Sequence, residues 1–312
     1  MVLTTESYKM MGTHVTLQIT HPNAKSLLKH AHNILIDLEK RFNANDNASN
    51  LMKINQNAGK KAVRVDDDLF YLIKIGKMYS IASLLNLNIA IGPLVKLWRI
   101  GFKDARRPSD QEINAVLELI DPQKIHLNEE KQTVYLSRVG MEIDLGALAK
   151  GYFADILKDF FISKGVKHGI INLGGNVLTI GDSNTQPDHQ WRVGIQRLNR
   201  NRGDILGAVK VVDESVVTSG IYERCLNVDG KTYHHILDSR TGFPIFTEIG
   251  SISIISKTSL DCEIWATILF HNTCQEAIGH INNTPGIEGV VVDLDENVYL
   301  SAGLHHRFIA RD

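Results

Sequence analysis

Val15, Leu17 and Ile19 alternate with Thr16, Gln18 and Thr20, the period-two pattern of a strand with one buried face. The period then changes. Leu27, Leu28, Ala31, Ile34, Leu35, Leu38 and Phe42 recur at helical spacing, and the Asn- and Ser-rich stretch 43–50 behind them predicts a loop. Asp66, Asp67 and Asp68 put negative charge where a second helix, about 69–85, begins, which suits the positive end of its dipole. Ser109 with Glu112 is the capping-box signature of a third helix, about 110–120. From about residue 124 the pattern shortens. Runs at 125–127, 133–136 and 141–143 predict strands, and a helix follows at about 147–164. Residues 169–173 are an apolar run ending in Gly174-Gly175, and 191–195, 208–212 and 251–255 are further strand candidates. A helix pair at about 260–270 and 274–283 precedes a hairpin whose arms, 289–294 and 297–300, flank Asp295-Glu296. Strands and helices intermix without regular βαβ alternation, so the expectation is an α+β chain with a mixed, mostly antiparallel sheet and flanking helices. Neither an internal repeat nor a Pro- or Ser-rich linker forces a boundary within residues 1–312.

Composition adds exclusions. With 34 Lys+Arg against 35 Asp+Glu the formal net charge is -1, and no terminal block of like charge occurs. Global attraction to nucleic acid or to an anionic membrane therefore has no support, and neither is expected as a partner. Hydrophobic residues at 43% and charged residues at 22% belong to an ordinary globular chain rather than a disordered or fibrous one. Three cysteines, Cys225, Cys262 and Cys274, with no CxxC pair, give no basis for a disulfide framework or a structural zinc site. No apolar run approaches the roughly 20 residues that span a bilayer. The amino terminus has neither a secretory pattern nor a lipid-attachment cysteine. The expected location is the cytoplasm, or an exported one if a leader was removed.

Several segments carry chemistry-bearing side chains at turns. Residues 143–152, IDLGALAKGY, read as a strand end, a glycine turn and a helix start, a junction that aims backbone N–H groups and Lys150 at one point and suits a phosphate. A plain strand-to-helix connection with a solvated lysine reads equally well. In INLGGN, 171–176, two glycines permit close approach of a ligand, or simply a tight turn. VTSGIYER, 217–224, sets the Thr218 and Ser219 hydroxyls beside Gly220 and ahead of Arg224, all suited to phosphate oxygens; a strand edge with a surface Glu-Arg pair is the alternative. HHILDSRTGFP, 234–244, packs His235, Asp238, Arg240 and Thr241 into a turn closed by Gly and Pro, and an imidazole is the usual neutral-pH base. His305-His306 lacks such company and reads as surface. Glu263 and Thr267, at i and i+4, share one helix face and form an oxygen pair able to hold Mg2+, or an ordinary exposed pair.

Taken in order, MGT at Met11, IGPLVKLW at Ile91, IDLGALAKGY at Ile143, INLGGN at Ile171, VTSGIYER at Val217 and HILDSRTGFP at His235 resemble the ApbE family of FAD:protein FMN transferases. The resemblance implies a single ApbE-like, T-fold-like domain over 1–312, or two intimately packed subdomains with the FAD site between them. It implies Mg2+ and FAD, cleavage of the diphosphate, transfer of FMN to a threonine hydroxyl of an acceptor flavoprotein, and release of AMP. On it, His235 is the catalytic base, Asp144 and Lys150 contact FAD, and the Ala147 carbonyl joins Glu263 and Thr267 on the metal. Met11, Asn45, Asn88, Ile89, Ala90, Thr218, Ser219, Gly220, Arg224, Leu237 and Arg240 complete the implied flavin-nucleotide contacts.

Four positions depart from the family pattern. Glu263 stands where Asp is usual, one methylene longer, on an ion that demands near-ideal geometry at about 2.0–2.1 Å; Asp261 is a substitute on another side of the helix. Asn88 and Ala90 stand where Asp and Thr are frequent, and Ser239 stands for Pro. Asn45 replaces an aromatic able to stack on the cofactor, which opens the diphosphate side to water. The expectation there is hydrolysis of FAD to FMN and AMP without any acceptor, so an FAD pyrophosphatase is the second reading and a non-catalytic FAD-binding protein the third.

Overall fold

The computed structural model describes residues 2–84, 86–198 and 203–311. It bears out the α+β expectation, and every strand pair among the described residues is antiparallel. The chain divides into two compact units. One comprises Met1–Asp37, Lys150–Gly220 and Thr247–Asp312, and the other comprises Leu38–Ala149 and Ile221–Phe246.

The first unit is built on an eight-stranded sheet. Its spatial order is Thr4–Met10, Thr13–Ile19, Gly169–Leu173, Asn176–Ile180, Ser215–Gly220, Ile249–Ser256, Ile287–Asp293 and Val298–Leu300. The alternation at the start resolves as expected: Val15, Leu17 and Ile19 are fully buried. The strand Ile249–Ser256 departs from its own pattern. Ser251 and Ser253 alternate with Ile252 and Ile254 as in a half-exposed strand, yet all eight residues are buried. Neighbouring strands flank it on both sides, and the helix Ser259–Ile268 packs on it and on Ser215–Gly220. A three-stranded sheet of Phe308–Ala310, Ile205–Val211 and Trp191–Gln196 completes the unit's β structure.

The second unit holds the helices Asp67–Ala82, Gly92–Trp98 and Asp110–Leu117, a small sheet of Val63–Arg64, Thr133–Leu136 and Ile125–Asn128, and the hairpin Cys225–Val228 with Lys231–His234. Its caps were legible. Asp66 accepts the Leu69 N–H at 3.1 Å, and Ser109 and Glu112 form both halves of the capping box. Leu94, Trp98, Ile113, Ile120 and Leu237 pack as one apolar cluster; full burial of each such side chain contributes about 1.5–3 kcal/mol.

Some expectations need correction. Residues 141–143 form no strand, only an isolated parallel bridge between Glu142 and Ile91. Backbone pairing there is taken over by a side chain, since Asn55 bonds both the N–H and the C=O of Ile143 at 2.8 and 3.0 Å. The helix expected to end at Leu85 ends at Ala82, and Leu85 itself lies outside the described residues. The strand expected at 208–212 runs Ile205–Val211, and the helix expected from 147 begins at Ala149. Strands at Thr4–Met10, Asn176–Ile180 and Ser215–Gly220 and the helices Asn50–Gln56 and Gly92–Trp98 were not expected from periodicity at all.

Candidate active site

In the second unit, main-chain bonds join the segments in two pairs. The Asp144 N–H donates to the Ile89 carbonyl at 2.9 Å, so the IDLG turn is seated on the segment Asn88–Ala90. Gly76 lets the helix Asp67–Ala82 approach that segment: a Cβ there would lie 2.6 Å from Ile89 Cγ2. Asp144 folds back to accept the Gly146 N–H at 2.7 Å. Burial pushes its carboxyl upward, opposed by that N–H and by the charges of Lys96 and Arg224. Asn88 is buried, and its amide is committed locally: Nδ2 donates to the Ile120 carbonyl at 2.8 Å and Oδ1 accepts the Ala90 N–H at 2.9 Å. Ile89 and Ala90 are buried as well; the Ile89 N–H donates to Ser80 Oγ at 3.0 Å, and its carbonyl is the one that accepts from Asp144.

Arg224 lays its stem against Gly101, whose φ of +93° and missing side chain make the room; a Cβ there would lie 2.7 Å from Arg224 Cδ. The His235 N–H donates to the Arg224 carbonyl at 3.2 Å, joining the VTSGIYER and HILDSRTG blocks. His234, next to it, donates Nε2–H to the Ile245 carbonyl at 3.0 Å, and burial lowers its pKa. Asp238 then closes the turn: its carbonyl accepts the Gly242 N–H at 2.8 Å, and its carboxylate takes the Arg240 N–H at 2.8 Å and Nε–H at 3.0 Å. Trp98 Nε1 donates to the Gly242 carbonyl at 2.8 Å. Gly242, at φ +76°, is required twice over, since a Cβ would meet Ile113 Cγ2 at 2.3 Å. Leu237 belongs to the apolar cluster, so a nucleotide contact from it would come through its main chain. Asn45 is exposed in a loop where its N–H donates to Asn43 Oδ1 at 2.8 Å.

In the first unit the MGT and INLGGN blocks adjoin. Met11 and Gly12, at φ 51° and 69°, form the two-residue turn between the first two strands, and Thr13 lies against Gly174, where a Cβ would strike its Oγ1 at 2.3 Å. The glycines of INLGGN are thus a tight turn, the plainer of the two readings. Thr218, Ser219 and Gly220 end an interior strand of the sheet, and Thr218 and Ser253 share a hydrogen bond of 2.7 Å.

Glu263 is 4% exposed, which removes the reading of an ordinary exposed pair. Its carboxylate accepts from Asn176 Nδ2 at 3.0 Å and lies 3.7 Å from the Lys150 ammonium. The helix that carries it is fixed at its start. Asp155 accepts the N–H groups of Ser259 and Leu260 at 2.7 and 2.9 Å, and Thr258 caps Asp261. Burial pushes the Asp155 carboxyl up to about 6. Asp261 Oδ2 accepts the Thr258 hydroxyl at 2.6 Å, which ties this carboxylate to the cap at the start of the helix. Thr267 donates to the Glu263 carbonyl at 2.9 Å, which leaves the lone pairs of its oxygen available. Ala147 lies exposed in the turn before the Lys150 helix, in the other unit. No group of three or more His, Cys, Asp or Glu able to hold a metal occurs among the described residues. Mg2+, which takes one or two carboxylates, neutral oxygens and substrate phosphates, fits the donors present. Sequence reasoning missed Asn176 and Asp155 as partners of this helix; the INLGGN block pointed to the first, and nothing pointed to the second.

The ApbE family profile matches residues 11–291. The chain is 36% identical over 97% of its length to a FAD:protein FMN transferase of Klebsiella pneumoniae (strain 342), covering 93% of that protein. It is 33% identical over 90% of its length to one of Treponema pallidum (strain Nichols), covering 80% of it. The fold matches an ApbE protein structure from Thermotoga maritima at TM-score 0.90 and 24% identity over all of both chains. It also matches a flavin transferase ApbE from Vibrio cholerae at 0.82 and 22%, over 98% of this chain and 99% of that one.

Proposed function

This chain belongs to the ApbE family and is a transferase, and from that we propose that it moves the FMN part of FAD onto a threonine hydroxyl of an acceptor flavoprotein, with Mg2+, releasing AMP. Lys150 and Arg224 supply positive charge for the diphosphate oxygens, Lys150 from the first turn of its helix. Asp144, its pKa raised by burial, and the segment Asn88–Ala90 on which its turn is seated orient the nucleotide. Glu263, Thr267 and the Ala147 carbonyl are the oxygens that would hold Mg2+, which when bound neutralises charge on the diphosphate. A threonine hydroxyl is a weak nucleophile, so His235 takes its proton as the oxygen attacks the FMN phosphorus. The new O–P bond forms as the bridging P–O bond breaks, and AMP leaves with the bridging oxygen.

What supports this reading is the buried Glu263 carboxylate beside Lys150, in a chain whose relatives are named FAD:protein FMN transferases. Incubation with FAD, Mg2+ and an acceptor bearing the target threonine should add one FMN mass and covalent flavin fluorescence to the acceptor. Unmodified acceptor, with FAD intact, overturns the reading. The small amide of Asn45, in place of an aromatic, favours water as a competing nucleophile. Without acceptor, slow formation of FMN and AMP is expected by chromatography, and intact FAD after prolonged incubation counts against that second activity.

A further inference from the structure

We infer that Asn176 is a positioning residue for Glu263, and that a buried relay from Ser215 through Ser259 and Asn176 sets the direction in which the Glu263 carboxylate points. The inference rests on Glu263 being a metal ligand. The four residues are 0% exposed at Ser215 and Ser259, 1% at Asn176 and 4% at Glu263, so water does not share their hydrogen bonds. Ser259 Oγ donates to Asn176 Oδ1 at 2.7 Å. Ser215 Oγ lies 3.0 Å from Ser259 Oγ and 3.2 Å from the Val177 carbonyl. With its oxygen held by a serine donor, the Asn176 amide has one face left, and its Nδ2 donates to Glu263 Oε1 at 3.0 Å. A reversed amide would set its oxygen against the carboxylate and lose the bond to Glu263, so the orientation is fixed by chemistry.

The need for such a device follows from the side chain. Glutamate has one more rotatable bond than aspartate, and Mg2+ tolerates little departure from its geometry. The two helices cross tightly at this point. A Cβ at Gly151 would lie 2.5 Å from the Ser259 carbonyl and 2.7 Å from Glu263 Cγ, so the stem of Glu263 is confined by the Lys150 helix while its head is held by Asn176. Lys150 at 3.7 Å neutralises without the short contact that would fix direction. Asn176 thus converts a flexible carboxylate into a preorganised one, and it opens its strand directly after the Gly174-Gly175 turn.

Mn2+ binding to the full chain, followed by the EPR signal of free Mn2+ with FAD present, tests this apart from turnover. N176A should weaken Mn2+ about 10- to 100-fold, the usual cost of removing a group that orients a metal ligand. FAD affinity without metal, read by fluorescence quenching, should stay at wild type. S259A, which removes only the hydroxyl that orients the amide, should fall between wild type and N176A. N176A/E263Q should bind Mn2+ no more weakly than E263Q alone, because Asn176 acts through Glu263. Wild-type Mn2+ affinity in N176A, or additive losses in the double variant, overturns the inference while leaving Glu263 as ligand. Should N176A fail to fold, wild-type affinity in S259A overturns it. E263Q that binds Mn2+ as well as wild type overturns the ligand reading and this inference together.

Discussion

The two candidate regions are built on opposite plans. Around Glu263, side chains bond to side chains in the interior: Asn176, Ser215, Ser259 and the carboxylate are all buried and mutually satisfied. Around His235, the chain is held by main-chain bonds from its own turn and by Trp98, while Arg240 stays exposed. A buried polar network loses a full desolvation cost when one member goes, whereas an exposed turn held by its backbone tolerates side-chain loss. Variants in the first region should therefore change stability and function together, and variants in the second should separate them.

The largest expected effect tests that separation. H235A should slow FMN transfer by about 10²–10⁴-fold, the usual worth of general-base help, with FAD affinity and melting temperature near wild type. A fold that melts early in H235A would place His235 among the structural residues. G151A should do the reverse, because its Cβ would press on the Ser259 carbonyl, which is backbone and cannot rotate away. Overpacking of that kind costs about 1–3 kcal/mol, read in denaturant melts, and transfer activity should fall with it. Unchanged stability in G151A would mean that the helix crossing is looser than its contacts.

Much of this was legible in the sequence where local chemistry decides. The Ser109–Glu112 box, the Asp66 cap and the buried face of Leu28, Ala31, Leu35, Leu38 and Phe42 all formed as the pattern demanded. The failures have a common cause in long-range substitution for local signals. Residues 141–143 alternate like a strand, but Asn55, distant in sequence, supplies the pairing. The Ser-Ile alternation at 251–255 suggests one wet face, and the helix Ser259–Ile268 with the neighbouring strands covers both. The site blocks were visible as blocks, and what joins them was not: the Asp144–Ile89 and His235–Arg224 bonds are main-chain and carry no residue signature. Asp155 illustrates the limit, because a helix-borne aspartate capping another helix 104 residues away leaves no mark at its own position.

That cap gives the third test, a pH dependence. Burial holds the Asp155 carboxyl at about 6, above the ordinary 3.8, with Asp261 raising it further and Lys158 and the two capped N–H groups opposing. The folded state thus binds this proton more tightly than the unfolded state. Its contribution to stability is complete below about 3.8 and is lost as pH rises through about 6. Melting temperature should fall from pH 5 to pH 7.5 by a few degrees in wild type, and the slope should flatten in D155N. The amide of D155N can accept only one of the two N–H groups, so its curve should also lie lower at pH 5. An identical slope in both proteins would remove Asp155 as its source.

The smallest expected change in stability is at Arg240, and it sharpens the contrast most. Its ion pair with Asp238 spans two residues in an exposed turn, and surface pairs of this kind contribute about 0–1 kcal/mol. The bond that shapes the turn is the Arg240 N–H to Asp238 Oδ1, which any residue at 240 preserves. R240A should therefore melt within about 0.5 kcal/mol of wild type. If the guanidinium meets a phosphate of FAD, the same variant should weaken FAD by about 10- to 100-fold, since charge-assisted bonds to phosphate are worth about 1.5–3 kcal/mol. R240K, which keeps the charge and loses the fork, should recover part of that affinity and none of the bidentate contact. A fall in stability with unchanged FAD affinity would invert the comparison, making this turn a structural element and leaving Arg224 and Lys150 to meet the diphosphate.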